Sequence, residues 1–291
     1  MALVLTFALL GLMKPVLSIA YFSRRLDPSN RRARHIEFKA VRRATEKGGA
    51  VTVVASIYEP GDDLAPFLEN LSELREFGIC EIILVMVRPT EVELEIARLW
   101  AHENSNVDLF CCENRATIYE VWNFAIENSS APLITNANVD DRKNPDLITR
   151  QTQFMAARPD LAVAYTDYNE SYWASDESPG SLQLVSTTKQ TVRELLFKGN
   201  QAHASPIWRR NLHYEVGAFD EEFQSAGDRD FWLRCLLAGF EFDRIPGPPG
   251  YTYFRNPNGL STKKRNLNRF EWGQILQVHS WKIVRHMRHN K

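Results

Sequence analysis

Two short stretches of this 291-residue chain carry acids in places where they could act on a ligand. The first runs Leu133-Ile134-Thr135-Asn136-Ala137-Asn138-Val139-Asp140-Asp141-Arg142. It has an apolar approach, read as a buried strand, that runs out into a turn with two adjacent carboxylates. In an open α/β sheet, ligands sit outside the carboxyl ends of the strands. Hard oxygen donors there suit Mg²⁺ or Mn²⁺, which keep waters and bind through one or two carboxylates plus phosphates. Ordinary turn and helix-cap chemistry before Pro145 would select the same residue types. The second stretch is Gly217-Ala218-Phe219-Asp220-Glu221, followed by Gly227-Asp228-Arg229-Asp230-Phe231-Trp232-Leu233-Arg234. Phe231 to Ala238 reads as a helix stopped by Gly239. Asp228 and Asp230 therefore stand at its start, where the helix dipole favours negative charge. Capping alone accounts for them. The chemical alternative is a carboxylate placed to take a proton from an attacking hydroxyl.

The elements that must position these acids are legible as an alternation. Val51 to Ile57 is β-branched and apolar, as a strand buried on both faces requires. The turn Glu59-Pro60-Gly61-Asp62 follows it, then a helix with Leu64, Phe67, Leu68, Leu71 and Leu74 inward. Glu81 to Val87, Val107 to Cys112 and Leu133 to Thr135 read as further strands. Glu91 to His102, with Val92, Ile96, Leu99 and Trp100 as its buried stripe, and Ile118 to Glu127 read as helices. Such alternation implies a doubly wound, mostly parallel sheet with helices on both faces and right-handed crossovers. Ser171 to Gly180 reads as a long polar loop.

In the order of these parts, from about Val51 to Thr262, the chain resembles family 2 glycosyltransferases of the GT-A fold. Asn138-Val139-Asp140-Asp141 stands where that family carries its Asp-x-Asp element. Gly217 to Glu221 stands at its G-x-F-D-E segment, and Gly227-Asp228 with Phe231-Trp232-Leu233-Arg234 and Gly239 at its E-D pair and following helix. The resemblance implies an inverting transfer of a sugar from a nucleotide-diphosphate donor to a hydroxyl of a glycan or lipid-linked acceptor. By position, Asp140 would ligate Mn²⁺ or Mg²⁺ on the donor diphosphate, and Asn138 would face the ribose. Tyr58 and Glu59, closing the first strand, would lie on the nucleotide. Asp228 would be the general base, with Asp141, Arg229, Asp230 and Trp232 as acceptor or supporting residues.

The departures from that pattern are specific. Leu84 to Thr90 has no acid where the family usually has an Asp-rich turn for the base. The first acid of the E-D pair is Gly227. Asn256 stands where family members often show a His, and an amide is a poorer metal ligand than imidazole. These losses motivate a second reading, a non-catalytic glycosyltransferase-like domain that binds glycan or scaffolds a partner enzyme. A nucleotidyltransferase ranks last, because the turn after the first strand carries Glu59, Asp62 and Asp63 rather than a basic, Gly-rich phosphate loop.

The remaining features frame the ends of the chain. With 44% hydrophobic and 24% charged residues and a formal charge of −1, the protein is globular and gives no reason to invoke nucleic acid. Cys80, Cys111, Cys112 and Cys235 have neither zinc-ligand spacing nor a disulfide pattern, which fits a reducing, cytoplasmic setting. Residues 1–47 are apolar, then basic: Ala2 to Phe22 is broken by Lys14-Pro15 and followed by Arg24, Arg25, Arg31, Arg32 and Arg34. A membrane anchor, an interfacial helix and a helix packed on the domain all remain open, the first two placing the protein on the inner face of the plasma membrane. Residues 48–262 form the GT-A domain. Residues 263–291 read as a basic amphipathic helix, compatible with an anionic membrane surface or with docking on the domain. Trp122, His203 and His213 read as structural residues.

Overall fold

The computed structural model describes residues 36–77, 80–172, 182–203, 205–255 and 265–289. The apolar stretch Ala2 to Phe22 with its basic run, most of the polar loop, and Asn256 lie outside the described residues, and with them the expectations placed there. The elements run β1 (Lys39–Arg42), β2 (Val51–Tyr58), a 3₁₀ turn (Gly61–Asp63), α1 (Leu64–Phe77), β3 (Cys80–Val87), α2 (Glu91–His102), β4 (Val107–Cys112), α3 (Ile118–Asn128) and β5 (Leu133–Asn138). They continue with β6 (Arg142–Lys143), α4 (Leu147–Ala157), β7 (Leu161–Tyr165), β8 (Tyr168–Tyr172), β9 (Gln183–Val185), α5 (Val192–Phe197) and β10 (Ile207–Arg209). The last are α6 (Leu212–Glu215), α7 (Gly227–Leu237), β11 (Glu241–Arg244), β12 (Tyr251–Arg255) and α8 (Arg265–His289).

An eight-stranded sheet has the order β1-β4-β3-β2-β5-β10-β7-β11, and a four-stranded sheet the order β6-β12-β8-β9. Strands β4, β3, β2 and β5 are parallel, while β10 runs antiparallel between β5 and β7. Strand side chains alternate between faces, and β2 uses this to serve two cores. Val51, Val53, Ala55 and Ile57 pack with Leu64, Phe67, Leu68, Leu71 and Leu74 of α1. Val54 faces the other way, onto Tyr119, Val121 and Trp122 of α3 and onto α7. That two-sided burial is the doubly wound architecture expected. The antiparallel β10 and the second sheet were not foreseen; β6, β9 and β10 have two or three residues, too short a pattern to read.

One helix face is corrected. In α2 the buried residues are Ala97 and Ala101, whereas Val92 is 68% and Leu99 57% exposed and Ile96 also lies outside. The two alanines let α2 lie close against the sheet, which turns the larger side chains outward. Trp100 is half-buried and donates from Nε1 to Ser72 Oγ at 2.9 Å. The carboxyl-terminal helix α8 docks on α7, burying Ile275 and Ile283. Among the described residues no helix is long and apolar enough to cross a membrane.

Candidate active site

Strand order reverses around β2, with β3 and β4 on one side and β5 on the other, so the crevice outside the carboxyl ends of β2 and β5 is the switch point where ligands enter such sheets. Ser56 pairs with Asn138 across it. Tyr58 ends β2 38% exposed, and the neighbouring Glu59 raises the pKa of its hydroxyl. Glu59 and Arg88, the residues that follow β2 and β3, both adopt left-handed backbone, with φ of 47° and 53°. Non-glycine residues rarely do so, and such strain concentrates where a ligand is held. Arg88 and Arg115 both act electrostatically on Tyr58. This end of the sheet thus carries arginines where an acidic turn was looked for.

The turn after β5 divides its two acids. Asp141 is buried and points inward: Asn138 Nδ2 donates to its Oδ2 at 2.8 Å and the Phe254 backbone N–H to its Oδ1 at 3.3 Å. Burial, with Asp140 adjacent, raises its pKa to about 8. Asn136 donates to Asn138 Oδ1 at 3.2 Å, so both ends of the Asn138 amide are engaged within the turn. Below it, Lys143 is buried and donates to Ser205 Oγ and, at 3.3 Å, to Thr135 Oγ1. Its backbone is clamped by the Asn70 side chain through bonds of 2.9 and 3.0 Å. Burial lowers the Lys143 pKa to about 7, opposed by Asp141. Asp140 is the half-buried acid that is not consumed in this network; burial and the charge of Asp63 raise its pKa. Among the described residues no group of three His, Cys, Asp or Glu could hold a metal alone. A site of one carboxylate completed by phosphate oxygens and water is compatible with Asp140.

The second constellation divides its acids in the same way. Asp230 is fully buried on α7, paired with Arg234 Nε at 2.8 Å and His279 Nε2 of α8 at 2.9 Å. It supports the helix and has no route to an acceptor. Trp232 is 1% exposed and lies edge-on to Trp208, Phe231 and Phe242, so it is core and not a sugar platform. Asp228 is half-buried. Its Oδ2 accepts from Asn200 Nδ2 at 2.9 Å and its Oδ1 from the Tyr119 hydroxyl at 3.4 Å. Burial raises its pKa, against the lowering effect of Arg229 and these donors. Arg229 is half-buried, its guanidinium 5.7 Å from the Trp272 ring centre.

Several partners were invisible beforehand because they are distant in sequence. Asn123 of α3 brackets Phe219 through both its backbone groups at 2.9 and 3.0 Å, while Arg234 reaches the carbonyls of Val216, Gly217 and Ala218. The G-x-F-D-E segment is thereby an anchor for α7. Glu271 of α8 accepts from the backbone N–H groups of Gln224, Ser225 and Ala226, each at 2.9 Å, immediately before Asp228. The stretch after α5 links the two constellations: Asn200 touches Asp228, His203 Nδ1 lies 3.0 Å from the Tyr251 hydroxyl, and Ser205 meets Lys143. His203 stacks on Tyr168 at 4.6 Å, and burial lowers its pKa to about 4. It is a satisfied, neutral ring, as expected of it.

No family model matches the chain. A curated relative, the uncharacterized protein y4gI of Sinorhizobium fredii (strain NBRC 101917 / NGR234), is 25% identical over 197 residues, covering 67% of this chain and 21% of its own length. The chain thus spans about a fifth of that relative. Among solved structures, S. aureus TarS residues 1–349 in complex with UDP-GlcNAc superposes with a TM-score of 0.57 at 16% identity, over 73% of this chain and 60% of that one. The mannosyltransferase PcManGT from Pyrobaculum calidifontis, in complex with GDP-Man and Mn²⁺, gives 0.54 at 14% identity, over 79% of this chain and 63% of that one. The chain has the mixed α/β, GT-A type fold of these glycosyltransferases.

Proposed function

We propose that this protein is an inverting glycosyltransferase that moves a sugar from a nucleotide-diphosphate donor to a hydroxyl of a glycan or lipid-linked acceptor. The observation that carries the reading is Asp228: a half-buried carboxylate at the first turn of α7, hydrogen-bonded at both oxygens and with its pKa raised by burial. A carboxylate whose pKa is raised by burial is a stronger base toward the acceptor proton than a solvated one. Asp228 accepts the proton of the acceptor hydroxyl as that oxygen bonds to the anomeric carbon and the bond to the donor diphosphate breaks. Asp140 would hold a divalent cation on the donor, and such a cation would supply Lewis-acid relief of the charge on the leaving diphosphate. Tyr58 and Glu59 line the nucleotide, and Asp141 fixes the turn that presents Asp140.

The acceptor's attachment to a lipid, and a place at the cytoplasmic face of a membrane, rest on the apolar and basic amino terminus and on the outward face of α8. That face leaves Trp281 61% exposed with Arg285 5.7 Å from its ring centre. The alternative, a non-catalytic domain that binds glycan or scaffolds an enzyme, draws on the Asn138 amide being engaged at both ends. The two part on one experiment: incubation with radiolabelled nucleotide sugars and candidate acceptors, with the anomeric configuration of any product read by NMR. Transfer with inverted configuration, lost in Asp228→Asn, is expected. Undiminished transfer by Asp228→Asn removes the base assignment, and absence of turnover with every donor favours the binding domain.

A further inference from the structure

Gly227 precedes the base, and its lack of a side chain has a visible cause. A Cβ at Gly227 would stand 2.7 Å from Cε2 and 2.9 Å from Cδ2 and Cζ of the Tyr119 ring, closer than side chains approach one another. The ring occupies that space because α3 is fixed on both sides. Its amino end is closed by a capping box, with Thr117 Oγ1 accepting from Glu120 N at 3.2 Å and the Glu120 carboxylate from Thr117 N at 2.6 Å. On its inner face the Tyr119 ring packs 5.8 Å from Trp122 of the same helix and 5.8 Å from Phe219 across from it. The hydroxyl so delivered meets Asp228 Oδ1, while Asn200 holds Oδ2.

We propose that Tyr119 and Asn200 are the positioning residues of Asp228, and that Gly227 is glycine in order to admit the Tyr119 ring. The inference rests on the reading of Asp228 as the base. One donor on each oxygen fixes the carboxylate plane and leaves the remaining lone pairs for an acceptor proton. Both donors favour the ionised form, opposing the burial that disfavours it. Tyr119 stays a phenol, because burial and the neighbouring Asp228 push its pKa well above the ordinary value. The charged and titratable groups facing Asp228 are Arg229 on its own turn and Tyr119 on α3; Glu271 on α8 acts on Tyr119 in turn. The geometry therefore makes Tyr119 a donor that a phenylalanine would replace in shape and not in function.

The test reads Asp228 directly and does not depend on turnover. The full chain is labelled with [¹³Cγ]aspartate, the Asp228 signal assigned by its loss in Asp228→Asn, and its titration followed by NMR. Tyr119→Phe is expected to raise the Asp228 pKa by about 1 unit, the low end for a hydrogen bond to a charged group, since this one is long at 3.4 Å. Gly227→Ala, which pushes the ring away, should give a similar rise, and the double variant no further one. A Tyr119→Phe titration that superimposes on the wild type overturns the proposal. Should Gly227→Ala fail to fold, Asn200→Ala takes its place, with the same sign expected and an unchanged titration equally fatal. In transfer assays the acid limb of kcat/KM should move up by the same increment with KM unaltered. A shifted titration in a protein that turns over no donor would keep the positioning assignment and remove the transferase reading.

Discussion

The turn after β5 and the first turn of α7 each carry a pair of acids, and each spends one of them inward. In the β5 turn the inward acid is Asp141, held by an amide and a backbone N–H, with a buried lysine below whose own charge is discouraged. In α7 it is Asp230, paired with an arginine and a histidine. The first arrangement is a hydrogen-bonded turn closed around a buried carboxyl and a buried lysine. The second ties Asp230 to Arg234 within α7 and to His279 of α8, which steadies the first turn of α7. The acid left over in each case, Asp140 or Asp228, is the one available to a ligand. Adjacent acids of the same type thus separate into structural and chemical members by the direction in which the backbone turns them.

The sharpest way to break this division is to exchange roles. Asp228→Asn should lower kcat by roughly 10²–10⁴, the usual worth of a general base, while its melting temperature stays close to the wild type. Asp230→Ala should do the opposite. It strands Arg234 and costs about 3–5 kcal/mol of stability, as removal of one member of a buried ion pair does, measured by urea unfolding. If Asp230→Ala left stability intact and abolished transfer, the two acids would have been assigned the wrong way round.

A finer test concerns α8. Glu271→Gln weakens three hydrogen bonds that lead into α7 and should cost about 1.5–3 kcal/mol, with Asp228 chemistry altered less than stability. The seat of α7 also gives a pH signature. His213 accepts from Trp208 Nε1 at 2.9 Å and stacks on Phe231 at 4.6 Å, and burial lowers its pKa to about 3. Between pH 6.5 and that value the unfolded chain binds a proton that the native state refuses, so stability falls as pH falls. The slope approaches about 1.4 kcal/mol per pH unit. His213→Gln, which keeps an acceptor and does not titrate, should flatten unfolding free energy against pH across that window.

The core sheet was legible because β2 to β5 are buried on both faces and read as runs rich in β-branched and apolar residues. The acidic turns were legible because they interrupt those runs. The face of α2 was misread since Val92, Ile96 and Leu99 are larger than Ala97 and Ala101, and a helix laid close to a sheet selects small residues that hydrophobicity does not flag. The roles within each acid pair were not legible. They depend on Phe254 meeting Asp141 and on His279 meeting Asp230, contacts between residues 113 and 49 positions apart. Trp232 followed the same logic: only the packing of Trp208 and Phe242 around it settles that it is core. Tyr119 and Asn200 carried no local signal at all. A tyrosine in an amphipathic helix and an asparagine in a loop are commonplace until Gly227 brings them to one carboxylate.

We propose that this fold holds a nucleotide-sugar site built on Asp140 and served by Asp228. A thermal-shift panel of UDP, GDP, dTDP and CMP, each with Mn²⁺, Mg²⁺ or EDTA, on wild type and Asp140→Ala, tests it most directly. A nucleotide present at a hundred times its dissociation constant stabilises the fold by about 2.7 kcal/mol. The account predicts a shift with one nucleotide that requires the metal and vanishes in Asp140→Ala. Melting curves that no nucleotide moves, with or without metal, would contradict it.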